Sequence, residues 1–184
     1  MKLQFKFLAI ASIFYLFGEI TLDRAQAITL SDGTTYFDNP PRFLNATTSQ
    51  DGTYIWGATY YFTISMPDNA GEPLQKVVIQ QASGISRPVF DPQKTAVFEG
   101  TRNDPGEEIP IQEVGFDPKI QAITVIFDPP IEPGKIITIR FHPVRNPGIG
   151  GHYLYGIAAF PVGTQPHGQF LGYGEIRIYD NQED

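Results

Sequence analysis

The sequence predicts an all-β fold: an antiparallel, immunoglobulin-like β-sandwich of about eight strands, with a β-barrel as the alternative closure. Three observations predict it. Sixteen prolines spread through 184 residues argue against long helices. After residue 27 no window keeps apolar residues at spacings of three and four, whereas short alternating runs broken by Pro, Gly, Asn and Asp recur. Finally, Arg145 to Gly174 holds eight of the eighteen glycines, interrupted by five aromatics at strand-like spacing. Such a segment needs close backbone approach and tight turns between strands.

The elements follow in order. Ile28 to Phe43, broken by Ser31-Asp32-Gly33-Thr34 and by Asp38-Asn39-Pro40-Pro41, reads as a short edge strand and an extended lead-in. Tyr54 to Ser65 is the first long strand, with Ala58, Tyr60, Phe62 and Ile64 on one face and Thr59, Tyr61, Thr63 and Ser65 on the other. Pro67 to Gly71 ends it, and a helical turn is expected near Glu72. Leu74 to Gln81 follows with Val77 and Ile79 inward, then short strands at Ile85 to Phe90 and Thr95 to Glu99. Arg102 to Glu108 is the most polar loop, and Ile109 to Val114 a weak strand. Ile120 to Phe127 is nearly continuously apolar, as a central strand should be. Asp128-Pro129-Pro130 closes it, and Pro133-Gly134 suits a tight turn. Lys135 to His142 alternates, with Ile137, Ile139 and Phe141 facing one way. Gly151 to Pro161 and Phe170 to Tyr179 complete the set, with Ile176 and Ile178 opposing Glu175 and Arg177.

The N-terminus has the plan of a secretory signal peptide: Lys2 and Lys6, the uncharged run Phe7 to Phe17, and the small-x-small site Ala25-Gln26-Ala27. The run is too short to span a bilayer, so cleavage after Ala27 and no stable membrane anchor are expected. Residues 28–184 then form one domain, large enough to fold around its own core. That mature chain carries ten basic and eighteen acidic residues, net charge −8. No basic stripe exists, so nucleic acid is an unsuitable partner. The absence of cysteine excludes disulfide, thiol and Cys-zinc chemistry.

No pattern of residues specifies a catalytic centre or a cofactor. None of the mature-chain serines lies in G-x-S-x-G, and Gly148-Ile149-Gly150-Gly151 lacks the strand–loop–helix setting of a phosphate loop. His142, His152 and His167 could hold a metal if they converged, His142 and His152 across a hairpin. Their spacing matches no ligand motif, so three surface or hydrogen-bonding histidines are the favoured reading. Asp104, Glu107 and Glu108 lack the order of a calcium loop, and adjacent glutamates make a poor glycosidase pair. Asn45-Ala46-Thr47 is a formal N-glycosylation acceptor only. Tyr60, Phe62, Phe127 and Phe141 are expected in the core; Trp56, beside Gly57, is a strand-start or bulge residue able to stack on a ligand.

One run is distinctive: Arg145-Asn146-Pro147, then Gly151-His152-Tyr153-Leu154-Tyr155-Gly156, Ala159-Phe160-Pro161-Val162-Gly163 and Phe170-Leu171-Gly172, with Pro67 and Ala70 to Leu74 upstream. From about Tyr60 to Ile178 the chain resembles a family of secreted cyanobacterial proteins, domain-of-unknown-function family 2808. The resemblance implies a periplasmic, cell-surface or thylakoid-lumen setting and supplies no catalytic residue. In physical terms, Pro147 holds Asn146 extended, and Arg145 is expected to brace the loop. A non-catalytic role in binding a protein partner or supporting an envelope assembly is the expected function. The rivals are a carbohydrate- or metal-binding module using Arg145, His152, Tyr155 and His167, and an Asp/Glu hydrolase with facing carboxylates.

Overall fold

The computed structural model describes residues 28–29 and 32–180. The expected signal peptide, residues 1–27, lies outside the described residues. All regular structure among the described residues is strand. One five-stranded sheet runs β3 (Arg42–Thr48), β4 (Tyr60–Ser65), β10 (Ile136–Pro143), β6 (Phe90–Thr101), β7 (Asp104–Ile109). The second runs β13 (Gln169–Ile178), β11 (Gly151–Pro161), β5 (Leu74–Ser83), β9 (Ala122–Ile131), β8 (Ile111–Asp117). Every pairing within these two sheets is antiparallel. A small third sheet joins β1 (Ile28–Thr29), β2 (Thr34–Tyr36) and β12 (Gln165–Pro166), the last pair parallel.

The chain is therefore an antiparallel β-sandwich, and the barrel alternative is not realised. At the lateral edges β13 packs on β3 and β6 on β8, but among the described residues no ladder joins the two sheets. The inward faces follow the alternation of the sequence. Tyr60, Phe62, Ile64, Ile137, Ile139 and Phe141 from one sheet meet Val77, Ile79, Val125, Phe127, Tyr155 and Ile157 from the other, all buried. Each such side chain contributes on the order of 1.5–3 kcal/mol of burial. At the centre Phe62 stacks on Phe141 at 5.2 Å, with Tyr60, Phe90 and Tyr155 edge-on around them.

Several boundaries differ from the expectation, each for a local reason. The two short strands expected between Ile85 and Glu99 are one strand, β6. Its ladder with β10 is interrupted, His142 pairing Asp91 and Arg140 pairing Ala96, so Pro92 falls in the break, where a missing N–H costs nothing. The polar loop at 102–108 is mostly β7, an exposed edge strand whose charges conceal the strand pattern. Pro110 separates β7 from β8, dividing the expected strand at 109–114. β4 begins at Tyr60, not Tyr54, and Tyr54 has φ of 59°, which no strand residue adopts. No helical turn forms at Glu72; β5 simply begins at Leu74. At one end of the sandwich the loops 49–59, 84–89, 118–121 and 144–150 gather with Tyr179 and Asp180.

Candidate functional site at the loop apex

The apex is built around Asn146, only 2% exposed. Its Nδ2 donates to the carbonyls of Gln50 (3.0 Å) and Gly52 (2.9 Å), and its Oδ1 accepts from the core Tyr60 hydroxyl (3.2 Å). Its backbone N–H donates to Ile55 O, and Tyr54 N–H to Pro147 O. The loop 50–56 is thus fastened to the loop 144–148 by side chain and main chain together. Further backbone bonds join Thr53 to Tyr179 and Tyr179 to Asp51. Gly148 completes the fit: a Cβ there would lie 2.6 Å from the Tyr54 ring.

This scaffold displays two aromatic side chains to solvent, Tyr54 at 56% and Trp56 at 67% exposure. The exposed Arg145 guanidinium lies 5.0 Å from the Tyr54 ring centroid and 5.5 Å from that of Trp56. Such contacts are worth about 0.5–1 kcal/mol each at exposed sites. Asn146 therefore fastens the loop from within, and Arg145 lies against it from outside, bridged to Trp56 through the backbone and set over both rings. A groove runs beside Trp56 and Arg145, walled by Pro88, Val89, Val144 and Pro147, with Arg87 on its rim. Arg87 also lines a second, more polar groove with Gln81, Lys119 and Gln121. Val89 and Val144 are half exposed, so the apex combines apolar surface with cations.

The other expected site residues do not join this one. Tyr155 is 1% exposed, in the central aromatic layer, and burial pushes its hydroxyl well above the usual tyrosine range. It is no ligand for the surface. His152 sits on the outer face at the start of β11, its Nδ1 hydrogen-bonded to Glu175, which also accepts from Arg177 Nε at 3.0 Å. Those partners hold the Glu175 carboxyl below the usual carboxylate range, His152 foremost. His167 lies beyond the far end of β11, its ring 4.5 Å from that of Tyr36. His142 bonds Thr59 Oγ1 at 3.2 Å, and burial pushes its pKa down. No hairpin brings His142 to His152, because β10 and β11 belong to different sheets. Among the described residues no group of three or more His, Cys, Asp or Glu side chains is arranged to hold a metal ion.

Asp38 and Glu72 form a carboxylate pair at the opposite end. Burial first, and Asp38 second, raise the Glu72 pKa. Asp38 packs against the neighbouring turn: Gly71 has φ of 86°, and a Cβ there would meet the Asp38 carboxyl at 2.8 Å. Neither residue lines the grooves described above.

A family model described as a protein of unknown function, DUF2808, matches residues 34–178. The chain belongs to the DUF2808 family. Its match spans the whole of both five-stranded sheets and the four loops of the apex. No curated protein sequence matches the chain. Among solved structures it is similar to BcpA, the major pilin subunit of Bacillus cereus, with TM-score 0.50 and 14% identity over 76% of this chain and 40% of that one. It is also similar to the collagen-binding domain from a Staphylococcus aureus adhesin, with TM-score 0.42 and 10% identity over 74% of this chain and 96% of that one. The C-terminal domain of the Streptococcus pyogenes antigen I/II-family protein AspA gives 0.42 and 12%, over 73% and 47%. At such identities the BcpA likeness establishes the sandwich fold and nothing about a site.

Proposed function

We propose that this DUF2808 protein is a non-catalytic binding domain of an exported protein, with the loop apex as its recognition face. One observation carries the reading. Trp56 and Tyr54 are exposed, yet the backbone presenting them is fastened by a buried asparagine, and Tyr54 occupies a backbone region costly for a non-glycine residue. Exposed aromatic rings on rigid, braced loops gain little for folding and much for binding, since a partner pays less ordering entropy there. The signal-peptide pattern of residues 1–27 supports export, and residues 28–184 are then the working domain in the periplasm, at the cell surface or in the thylakoid lumen. The sandwich shared with a pilin subunit agrees with an interaction or assembly role. The carboxylate pair Asp38–Glu72 lines neither groove of the apex.

The test uses the chain from Ile28 with Trp56 kept and a photo-crosslinking residue at groove-lining Val144, or at exposed Glu113 on β8 as control, in native envelope extract. Crosslinks specific to position 144, abolished when Trp56→Ala is added, support the reading. Capture that Trp56→Ala leaves unchanged overturns it.

A further inference from the structure

Exposed apolar side chains are unevenly spread over the sandwich. Among the described residues twelve large ones are exposed, and eight of them stand at the apex, leaving four for the two sheets. Each of the four loops puts one forward: Trp56, Ile85 (75% exposed), Ile120 and Ile149. Tyr54, Val89, Val144 and Tyr179 make up the eight. Single exposed apolar residues are ordinary, but such a gathering marks an interaction surface. Cations stand among them. Arg87 and Arg145 line one groove, Arg87 and Lys119 the other, and no carboxylate lines either. The carboxylates nearby are engaged elsewhere: Asp117 and Asp180 accept the backbone N–H groups of Lys119 and Gly150, and Asp51 lines neither groove.

We infer, resting on the apex as the recognition face, that it docks peripherally on an anionic lipid surface. Ile85, Ile120 and Ile149 enter the headgroup boundary together with Trp56, whose ring favours the membrane interface. Arg87, Lys119 and Arg145 meet lipid phosphates there. A protein hot spot gathers Trp, Tyr and Arg in one well-packed pocket. Here five of the eight apolar side chains are isoleucine or valine, spread over three loops around two grooves. A fluid surface accepts that arrangement without a matching shape. The net charge of −7 does not oppose it. Glu99, Glu107, Glu108 and Glu132 gather at the opposite end. The 11 residues of β11 extend about 35 Å, several times the screening length of about 8 Å at physiological salt, so those carboxylates are not felt at the apex.

Trp56 is the sole tryptophan, so its emission reports this contact directly. The chain from Ile28 is mixed with vesicles of phosphatidylcholine, alone or with about a third phosphatidylglycerol, and binding is read by co-sedimentation and Trp56 emission. A blue shift is expected, with partition onto the phosphatidylglycerol vesicles at least about tenfold stronger and weakened by about 0.5 M salt. Ile85→Ser combined with Ile149→Ser should lower partition about tenfold or more. Arg87→Gln combined with Arg145→Gln should remove most of the preference for phosphatidylglycerol. Leu44→Ser, exposed on β3 away from the apex, should change neither. Thermal unfolding confirms that each variant folds. No partition onto either vesicle overturns the inference, as does partition that the paired isoleucine substitutions leave unchanged. Equal partition onto phosphatidylcholine alone overturns the anionic class. Trp56-dependent crosslinks from position 144 to a protein, without vesicle binding, overturn the lipid partner and leave the recognition face standing. Absence of such crosslinks to any partner removes the face itself, so the two failures are distinguishable.

Discussion

Removing the Asn146 side chain tests how the apex is held. Asn146→Ala deletes two N–H donors to Gln50 and Gly52 carbonyls and the acceptor of the Tyr60 hydroxyl. Two amide hydrogen bonds at about 1 kcal/mol each, plus about 1–2 kcal/mol for orphaning a hydroxyl on a fully buried Tyr60, give a loss of roughly 3–4 kcal/mol. For a chain of this size that lowers Tm by about 10 °C. Urea and thermal unfolding measure the loss, and Trp56 emission reports release of the loop. The double-mutant cycle with Tyr60→Phe sharpens the test. In the Asn146→Ala background the phenylalanine removes the orphaned hydroxyl, so it should be nearly neutral or stabilising, against a cost of about 1 kcal/mol alone. A loss below about 1 kcal/mol for Asn146→Ala, or additivity in the cycle, would refute the bracing role.

Three further outcomes follow from the same structure. A Cβ at Gly174 would lie 2.8 Å from Ala46 Cβ and from Phe43 Cζ, so Gly174→Ala should cost about 1–3 kcal/mol in urea unfolding, partly recovered by Ala46→Gly. Burial and Asp38 raise the Glu72 pKa, so the stability tied to its neutral form is present below the unfolded value of 4.5 and lost as pH rises through the folded value; Glu72→Gln should therefore raise Tm at pH 7 and give no gain at about pH 4. Burial depresses the His142 pKa, so stability is full above the unfolded value of 6.5 and falls as pH drops through the folded value, a decline that His142→Gln should flatten in melts from pH 8 to 5.

What the sequence made legible was whatever one buried face dictates. In β4 and β10 a strict alternation of large apolar and polar residues fixes which side chains enter the core, because a shift by one would turn the whole set to solvent. The same parity places Tyr153, Tyr155, Ile157 and Ala159 together and inward, and it is this alternation, legible in the sequence, that withdraws Tyr155 from the surface. β7 was hidden because an exposed edge strand has no apolar face to announce it. The apex was illegible for a different reason. Its residues come from segments near positions 54, 87, 120 and 145, and no local pattern reports that four loops meet. Arg145 and Asn146 are neighbours whose side chains hold the 50–56 loop from opposite sides, one at the surface and one buried, a property of the folded loop alone.

That difference ties recognition to the core. Tyr60 belongs to the central aromatic layer, packed edge-on against Phe141, Phe90 and Tyr155, while its hydroxyl reaches the asparagine that positions Trp56 and Tyr54. A disturbance of the layer therefore reaches the apex through one hydrogen bond, and the loops should resist local opening more strongly than loops that lack such an anchor. Amide exchange distinguishes the two situations. If the anchor works, the Tyr54 and Asn146 amides, which donate to Pro147 and Ile55, exchange with free energies approaching that of global unfolding. In Tyr60→Phe those two amides should lose protection by about tenfold or more, while the paired amides of β9 keep theirs. Fast exchange at both positions in the unaltered protein would mean that the apex moves independently of the core, and that a ligand, not the fold, must order it.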